Sequence, residues 1–299
     1  MSIHVQKSFV ASSGESVLGE KGKLFLVGTP IGNLEDMTFR AVRTLQEADI
    51  IAAEDTRQTR KLLTHFNISP AKLVSYHEHN KAASGPELIR LIIEGKNLAL
   101  VSDAGLPAIS DPGSDLVKLA LEANISVIPV PGANAALSAL IVSGLPTERF
   151  MFLGFLPRDS KERGQLLKSL EDEMGTLLMY ESPHRVIKTL EALLDVWGNR
   201  RIVLARELTK RYEELTRGSI QDCLDWLLEH PPLGEYCLVI EGAGSEEVKE
   251  RQAAWWQTLS LEDHVRHYEE QEDLTRKEAM KKTALDRGVS KRDIYNQLL

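Results

Sequence analysis

The sequence predicts an α/β protein with two α/β domains and a small C-terminal helical domain. Between residues 22 and 130, short apolar runs with strand character alternate with helical patterns, which is typical of βαβ units around a mainly parallel sheet. After Pro131 the apolar runs continue between longer helical patterns, which indicates a second α/β domain with more antiparallel pairing. Beyond residue 244 only charge-rich helical patterns follow. We therefore expect domains at 22–130, 131–244 and 245–299.

The elements of the first two domains follow from apolar runs and helical periodicity. In the first domain, strands are expected at 24–27, 49–53, 73–75, 98–101 and 126–130, with helices at 36–48, 56–66, 81–94 and 113–123. In the second domain, a helix of small residues at 133–143 precedes strands at 150–155, 176–180, 201–205 and 236–240, and helices at 159–173, 183–196 and 219–229.

The two ends of the chain differ from these domains. Residues 1–21 mix Ser, Gly, Glu and Lys without an apolar core, so they predict a flexible tail rather than a signal peptide. Helical patterns at the other end lie at 245–258, 261–271, 275–287 and 290–298. The Gly288-Val289 turn between the last two predicts a helix-turn-helix arrangement.

Composition excludes several classes of protein. The 299 residues include 44 acidic and 36 basic side chains, and the net charge of −8 argues against a protein that coats nucleic acid with its whole surface. Cys223 and Cys237 are the two cysteines and form no CxxC pair, which favours a reducing compartment. No apolar stretch approaches the roughly 20 residues of a membrane-spanning helix. We expect a cytoplasmic protein without membrane contact.

Two loops rich in Gly, Pro, Ser and Asp follow predicted strands, at 28–34 and at 102–113. Loops of this kind at the carboxyl ends of parallel strands bind small ligands, and two of them predict one shared crevice. The first loop lacks the Lys-Ser/Thr ending of a P-loop and the glycine spacing of a dinucleotide fold, so an ATPase or nicotinamide enzyme is not expected. Asp103 and Asp111 can accept hydrogen bonds from a ligand, whereas an ordinary explanation makes Asp111 a helix cap.

Charged side chains cluster after two further strands. Glu54 or Asp55 suits a general base and Arg57 or Arg60 a phosphate clamp, although Asp55 equally suits a helix cap. After the strand at 176–180, Glu181, His184 and Arg185 are candidate substrate contacts, while Ser182-Pro183 has the composition of a helix start. His77-Glu78-His79 has no further His or Cys cluster to complete a ligand set, so no metal site is expected.

The C-terminal helical patterns are basic after an acidic stretch at 262–273. This end of the chain is interpreted either as a nucleic-acid contact or as a helical cap with solvated charges. The basic side chains are Arg276, Lys277, Lys281, Lys282, Arg287, Lys291 and Arg292.

Five motifs in order resemble the small-subunit ribosomal RNA ribose methyltransferase I family, a branch of the tetrapyrrole methylases. They are Val-Gly-Thr-Pro-Ile-Gly-Asn-Leu at 27–34, Ala-Glu-Asp-Thr-Arg at 53–57, Ser-Asp-Ala-Gly through Ser-Asp-Pro-Gly at 102–113, Val-Pro-Gly-Ala-Asn at 130–134 and Glu-Ser-Pro-His-Arg at 181–185. The resemblance covers residues 22–299. It departs from the tetrapyrrole branch at 103–105, where Asp-Ala-Gly replaces the usual Gly-Asp-Pro, which counts against a porphyrinoid substrate.

The resemblance implies transfer of a methyl group from S-adenosylmethionine to the ribose 2′-hydroxyl of a cytidine in the decoding region of small-subunit (16S) rRNA. It implies two α/β domains with the cofactor in the cleft between them, the rRNA or the 30S subunit as partner, a homodimer and no metal. By position in the family pattern, the cofactor cleft would be lined by Ile31, Gly32, Asp103, Ala104, Gly105, Ile109, Asn134, Ala135, Tyr180, Glu181, Arg206 and Glu207.

Methyl transfer to a ribose hydroxyl benefits from a nearby proton acceptor. The sequence does not rank the candidates Glu54, Asp55, Asp111, Glu181 and His184. RNA contacts are expected from Arg57, Arg60, Arg185, Lys281, Lys282, Lys291 and Arg292. Two alternatives stay open: a methyltransferase of a tetrapyrrole or other small molecule, and a ligand-responsive DNA-binding regulator that uses residues 275–298.

Overall fold

The computed structural model describes residue 6, residues 21–254 and residues 256–298. The described residues form two compact units. The larger unit comprises those within Met1–Lys168 and Gly175–Glu241, and the smaller comprises those within Ser169–Met174 and Gly242–Leu299. Both α/β sheets lie in the larger unit, and the C-terminal helices lie in the smaller one.

The first sheet is entirely parallel. Its strands are β1 (Lys23–Val27), β2 (Ile50–Ala53), β3 (Leu73–Ser75), β4 (Leu98–Val101) and β5 (Ser126–Val130). Their order is β3-β2-β4-β1-β5. Every residue of β2 and β4 is buried, because helices cover both faces of the sheet, and this explains why these strands read as unbroken apolar runs.

Four helices connect these strands: α1 (Phe39–Glu47), α2 (Thr56–His65), α3 (Lys81–Ile93) and α4 (Ser114–Glu122). Asp55 caps α2 by accepting the Arg57 N–H, as its position before the helical pattern predicts. The helix expected from 36 begins at Phe39, because Thr38 accepts the Ala41 N–H and caps α1. The chain leaves β1 toward β2 and leaves β4 toward β5, so the connections after these two neighbouring strands run toward opposite edges of the sheet. A parallel sheet opens a ligand crevice at such a switch point.

The second sheet is mixed, which confirms the expected antiparallel character. It contains β6 (Phe150–Phe155), β7 (Thr176–Glu181), β8 (Arg201–Arg206), β9 (Glu214–Ser219) and β10 (Tyr236–Ile240), in the order β6-β7-β10-β8-β9. β6 and β7 are parallel, and the other neighbours are antiparallel. The accompanying helices are α5 (Ala135–Ser143), α6 (Ser160–Ser169), α7 (Val186–Trp197) and α8 (Ile220–Glu229).

Three expectations for this region were wrong in detail. The helix expected at 159–173 ends at Ser169, because a turn in which Glu173 N–H bonds Leu170 C=O leads into β7. The helix expected from 183 begins at Val186, after a turn closed by Arg185 N–H and Ser182 C=O, so Ser182 is not its cap. Strand β9 was not predicted, because it is a polar edge strand without apolar alternation.

The smaller unit contains α9 (Ser245–Ala254), α10 (Leu261–Gln271), α11 (Arg276–Asp286) and α12 (Lys291–Gln297). Thr275 with Glu278 and Ser290 with Asp293 form capping boxes at the starts of α11 and α12. An apolar core joins α10, α11 and α12 through Val265, Tyr268, Ala279, Met280, Ala284 and Ile294. The expected turn at Gly288 separates the last two helices.

The expected tail at 1–21 lies outside the described residues except for Gln6 and Lys21. The amide of Gln6 exchanges two hydrogen bonds of 2.9 Å with the backbone of Val127 in β5.

Within the described part of the chain, no helix is long and apolar enough to cross a membrane. Across those same residues, no group of three or more His, Cys, Asp or Glu side chains has the arrangement of a metal site.

Candidate functional site

The loops that follow β1, β4 and β5 meet at the switch point. Gly28 N–H donates to Val130 C=O at 3.0 Å, and Thr29 and Gly105 exchange backbone hydrogen bonds of 2.9 and 3.1 Å. A Cβ atom added to Gly28 would lie 2.8 Å from Gly132 Cα, so the two backbones touch where a side chain cannot fit. These contacts hold the three loops together as one wall, as the sequence predicts for a shared crevice.

This wall faces the second sheet across a cavity of about 320 Å³, which we call the first cavity. The carboxyl-end loops of the first sheet line one side, and the ends of β7, β8 and β10 line the other. Several residues that the resemblance assigns to the cofactor cleft line it: Ile31, Ala104, Gly105, Ile109, Asn134, Ala135, Tyr180, Glu181 and Glu207.

Three residues with the same expected role lie outside this lining. Gly32 and Asp103 line a neighbouring cavity. The guanidinium of Arg206 donates to Leu233 C=O at 2.7 Å and to the Glu214 carboxylate at 3.2 Å. For these three positions, a cofactor contact stays a prediction.

The first cavity combines an aromatic corner with fixed negative charge. Tyr180 packs against the rings of Phe152 and Phe155 at centroid distances of 4.9 and 5.7 Å, and burial raises the pKa of Tyr180 to about 12. Lys210 Nζ donates to Glu207 and Glu235 at 2.9 and 2.8 Å.

Glu207 stays ionised despite its position in the cavity wall. Burial acts to raise the pKa of the Glu207 carboxyl, but hydrogen bonds from Glu235 N–H and Lys210 outweigh it and leave the pKa below its ordinary value. The cavity wall therefore offers stacking surface together with carboxylates that suit a cationic ligand.

A second cavity of about 370 Å³ adjoins the first. The two cavities share Ile31 and Ala104 as a common wall. The second cavity also shares Lys61 with a groove on the surface of α2. The second cavity is lined by Thr29, Pro30, Ile31, Gly32, Leu34, Gln58, Thr59, Lys61, Leu62, Ser102, Asp103 and Ala104, and the groove by Thr56, Arg57, Arg60, Lys61 and Thr64.

Four carboxylates from the ends of β2 and β4 gather beside these cavities: Glu54, Asp55, Asp103 and Asp111. Burial, together with the negative charges of Glu54 and Asp103, raises the pKa of Asp111 to about 6. Burial, together with the charge of Asp103, also raises the pKa of Glu54. Asp111 lines the first cavity, whereas Glu54 lines neither cavity. Asp111 does not cap α4, because Gly113 occupies the N-cap position.

Asp55 and His184 are less suited to accept a proton at this place. Asp55 caps α2 and binds the guanidinium of Arg57 at 2.7 Å, and the hydrogen bonds from Arg57 lower the pKa of Asp55 to about 2. A carboxyl of such low pKa is a weak base. His184 is exposed and lines neither cavity. Among the base candidates that the sequence suggests, Asp111 thus combines an elevated pKa with a position in the cavity wall.

Glu181 and Arg185 form an internal network rather than a free pair. The buried carboxylate of Glu181 accepts hydrogen bonds from Ser182 N–H at 2.8 Å and from Thr189 Oγ1 at 2.7 Å. Arg185 donates to Leu156 C=O at 2.8 Å and lies 3.4 Å from Glu181. Sequence reasoning missed Thr189, since the contact arises only when the first turn of α7 folds back onto the end of β7.

The six basic side chains within α11 and α12 divide into two groups. Arg276 is paired with Glu262 and Glu269, and Lys282 is paired with Glu272 and lies 4.6 Å from the ring centroid of Tyr268. A second group, which makes no ion pair with any described residue, lies on α11 and α12. It contains Lys277, Lys281, Lys291 and Arg292.

The exposed ring of Tyr295 lies among the second group. It lines a shallow cavity of about 420 Å³ together with Lys277 and Lys291. An aromatic face between unpaired cations is a combination found in nucleic-acid contacts. Sequence reasoning did not single out Tyr295, because the helical pattern alone does not show which face of α12 it occupies.

Comparison with known proteins identifies the family. The family model for Tetrapyrrole (Corrin/Porphyrin) Methylases matches residues 23–224. A Ribosomal RNA small subunit methyltransferase I from Halalkalibacterium halodurans is 57% identical over 277 residues, which cover 93% of this chain and 94% of that relative. A protein of the same name from Bacillus subtilis is 52% identical over 277 residues, with the same coverage of 93% and 94%.

Solved structures show the same fold at low sequence identity. Uroporphyrin-III-C-methyltransferase from Thermus thermophilus is 23% identical with a TM-score of 0.54, over 78% of this chain and 98% of that one. A diphthine synthase is 14% identical with a TM-score of 0.61, over 77% and 94% of the two chains. The chain therefore has the tetrapyrrole methylase fold and belongs, within that family, to the Ribosomal RNA small subunit methyltransferase I proteins.

Proposed function

We propose that this chain transfers the methyl group of S-adenosylmethionine to the ribose 2′-hydroxyl of a cytidine in the decoding region of small-subunit (16S) rRNA. The names of relatives at 57% and 52% identity support the reaction class and the RNA substrate. The observation that carries the proposal is the position of Asp111. Its carboxyl lines a cavity at the switch point of the sheet and has a pKa of about 6.

The donor set of the first cavity fits S-adenosylmethionine. When bound, this cofactor supplies a methyl group on a sulfonium sulfur that already carries a good leaving group. Tyr180 and Phe155 would hold the flat base, and the apolar side chains of Ile31 and Ile109 would cover it. The ionised carboxylate of Glu207, fixed by Lys210, suits the positive charge of the cofactor. The protein's contribution is to align the nucleophile and to exclude water.

Asp111 serves as the proton acceptor in this proposal. A ribose hydroxyl becomes a good nucleophile only as its proton leaves, and a positioned base is worth on the order of 10²–10⁴ in rate. With a pKa of about 6, the Asp111 carboxyl is ionised at neutral pH and is a better base than an ordinary aspartate. Glu54, beside it, keeps the local charge negative and favours uptake of a proton by Asp111.

RNA would be bound by local basic surfaces, because the chain as a whole is acidic. One surface is the α2 groove with Arg57, Arg60 and Lys61. The other is the group of unpaired cations on α11 and α12 described above. Phosphate contacts of this kind provide affinity that falls with salt and carry no sequence information.

The partner in this proposal is the rRNA or the assembled 30S subunit, in the cytoplasm. Both cysteines are free and buried, which agrees with a reducing compartment.

The proposal includes a homodimer, supported by large apolar side chains left exposed on the described surface, such as Phe39 and Ile141 at 97% and 75% exposure. Sedimentation of the purified chain measures the oligomeric state.

The experiment that tests the proposal supplies S-adenosylmethionine with a labelled methyl group to 30S subunits and to naked rRNA. We expect label in the RNA of at least one of them. The position of the label is read by alkaline hydrolysis, since a 2′-O-methylated ribose cannot assist cleavage of its own phosphodiester. Label found on a base, or no label in either substrate, contradicts the proposal.

A further inference from the structure

We infer that the second cavity binds the acceptor nucleoside itself, with the carboxylate of Asp103 accepting a hydrogen bond from the exocyclic amino group of its base. This inference rests on the proposed function and adds to it the place of the acceptor base and a residue that selects cytosine over uracil.

The first argument is position. Ile31 and Ala104 line both cavities, so the cavities adjoin at these residues and ligands in the two would lie next to each other. A methyl transfer requires such contact between donor and acceptor. With about 370 Å³, the second cavity has the size of a small-molecule pocket.

The second argument is the path of the RNA chain. The second cavity shares Lys61 with the α2 groove, whose other cations are Arg57 and Arg60. Arg60 makes no side-chain hydrogen bond or ion pair with any described residue, and Arg57 is 87% exposed although it contacts Asp55. A nucleotide turned out of its stack into the cavity would leave its neighbouring phosphates along this groove. Phosphates are the groups that exposed guanidinium and ammonium side chains bind best.

The third argument is the chemistry of the cavity wall. One oxygen of Asp103, Oδ1, accepts the Asp55 N–H at 3.0 Å, which fixes the carboxylate, while Oδ2 has no hydrogen-bond partner among the described residues. Gln58 accepts a hydrogen bond from Lys61 Nζ at 3.1 Å through Oε1, so its amide N–H groups are left to donate. An acceptor and a donor thus face the same cavity.

This pairing matches one edge of cytosine. Cytosine presents an amino group, which donates, beside ring acceptors, whereas uracil presents an oxygen in place of the amino group. The Asp103 carboxylate would accept from the amino group of cytosine but repel the oxygen of uracil. A polar group left unpaired in a binding site is what produces strong discrimination between such similar ligands.

The test replaces Asp103 by asparagine, which keeps Oδ1 for the Asp55 N–H and changes the free oxygen into a donor. Substrates are reconstituted 30S particles that carry either cytidine or uridine at the methylated position. For the wild-type chain we expect kcat/KM at least tenfold higher on cytidine. For Asp103→Asn we expect the cytidine-to-uridine ratio to fall at least tenfold, while the calorimetric Kd for S-adenosylmethionine changes less than twofold.

Asp36→Asn is the matched control, because Asp36 is an exposed carboxylate that lines neither cavity. Its cytidine-to-uridine ratio should equal that of the wild type. An unchanged ratio in Asp103→Asn overturns the inference. If the affinity for S-adenosylmethionine is weakened as well, Asp103 is assigned to the cofactor instead. Absence of methylation by the wild-type chain is a different result, because it overturns the proposed function.

A second measurement does not depend on turnover. Particles with 5-iodocytidine at the methylated position are irradiated with the wild-type chain, and the crosslinked peptide is identified by mass spectrometry. We expect the crosslink within the lining of the second cavity, at residues 29–32, 34, 58, 59, 61, 62 or 102–104. A crosslink confined to residues outside this lining contradicts the inference.

Discussion

The carboxylate of Asp103, at the end of β4, accepts the backbone N–H of Asp55, at the end of β2, at 3.0 Å. This hydrogen bond joins the two strand ends that carry all four clustered carboxylates. It holds the cluster together although like charges repel. The elevated pKa of Asp111 arises from burial within this cluster, with charge repulsion adding to it, and the first two predictions concern its consequences.

Asp111→Asn should lower kcat by 10²–10⁴ and leave the calorimetric Kd for S-adenosylmethionine within a few fold, since the amide cannot take a proton. In the wild type, the base works in its ionised form and its pKa is about 6. Activity should therefore fall as the pH drops through about 6, and this limb should disappear in the variant. Glu122→Gln, at an exposed carboxylate at the end of α4, is the control and should behave as wild type.

The same substitution should stabilise the fold at neutral pH. The pKa of Asp111 is raised from 3.8 to about 6 in the folded chain, so its ionised form destabilises the native state fully above pH 6 and not at all below pH 3.8. Since Asp111 is half-buried, we expect Asp111→Asn to raise the free energy of unfolding by about 1–2 kcal/mol at pH 8. Denaturant unfolding at pH 8 and at pH 4 measures this, and a gain of equal size at both pH values would refute the assignment.

The division of basic residues in the smaller unit predicts which of them bind RNA. A triple variant with Lys281, Lys291 and Arg292 changed to glutamine should weaken binding to an rRNA fragment and reduce the slope of log K against log salt by about 2. Lys282→Gln is the matched control on the same helix, because Lys282 is already paired with Glu272. Equal slopes for the triple variant and the wild type would show that this surface does not contact RNA.

We expect Arg185 to stabilise the fold rather than to bind RNA. Its guanidinium donates to Leu156 C=O and neighbours the buried Glu181, so Arg185→Ala should lower the free energy of unfolding by about 1–3 kcal/mol. The salt slope for RNA binding should stay unchanged. A reduced slope with unchanged stability would instead support the phosphate contact that the sequence suggests.

Because Gly28 contacts Gly132 closely, we expect an alanine at Gly28 to destabilise the fold, whereas an alanine at Gly164 should not. Gly28→Ala would place a Cβ 2.8 Å from backbone atoms of Gly132, and we expect a loss of about 1–3 kcal/mol in the free energy of unfolding. Gly164→Ala, inside α6 with no atom within 4 Å of the added Cβ, should be neutral or stabilising by up to about 1 kcal/mol. Thermal unfolding of both variants tests this, and a stable Gly28→Ala would refute the packing of the two loops.

Most of the fold could be predicted from sequence because its signals are local. The apolar runs of β2 and β4 and the cap Asp55 act on neighbouring residues. Strand β9 lacked such a signal, since an edge strand is stabilised by pairing with β8 rather than by its own pattern.

The sequence predicted where the site lies, but it did not rank the candidate bases within it. Strand-end loops identified the crevice, yet Asp55 and Asp111 look alike in sequence. Only the folded chain shows that Asp55 is held by Arg57 and that Asp111 is buried beside Glu54. Likewise, the distance in sequence between Arg276 and its partner Glu262 conceals that this cation is already neutralised.

The approach of Gly28 to Gly132 has a consequence for the rigidity of the site. Loops that meet through side chains can shift when a rotamer changes. Gly28 and Gly132 line neither cavity, but they join the β1 and β5 loops main chain against main chain. Ile31 on one loop and Asn134 on the other line the first cavity a few residues further on, so the spacing of these two loops is set by backbone contact rather than by a rotamer.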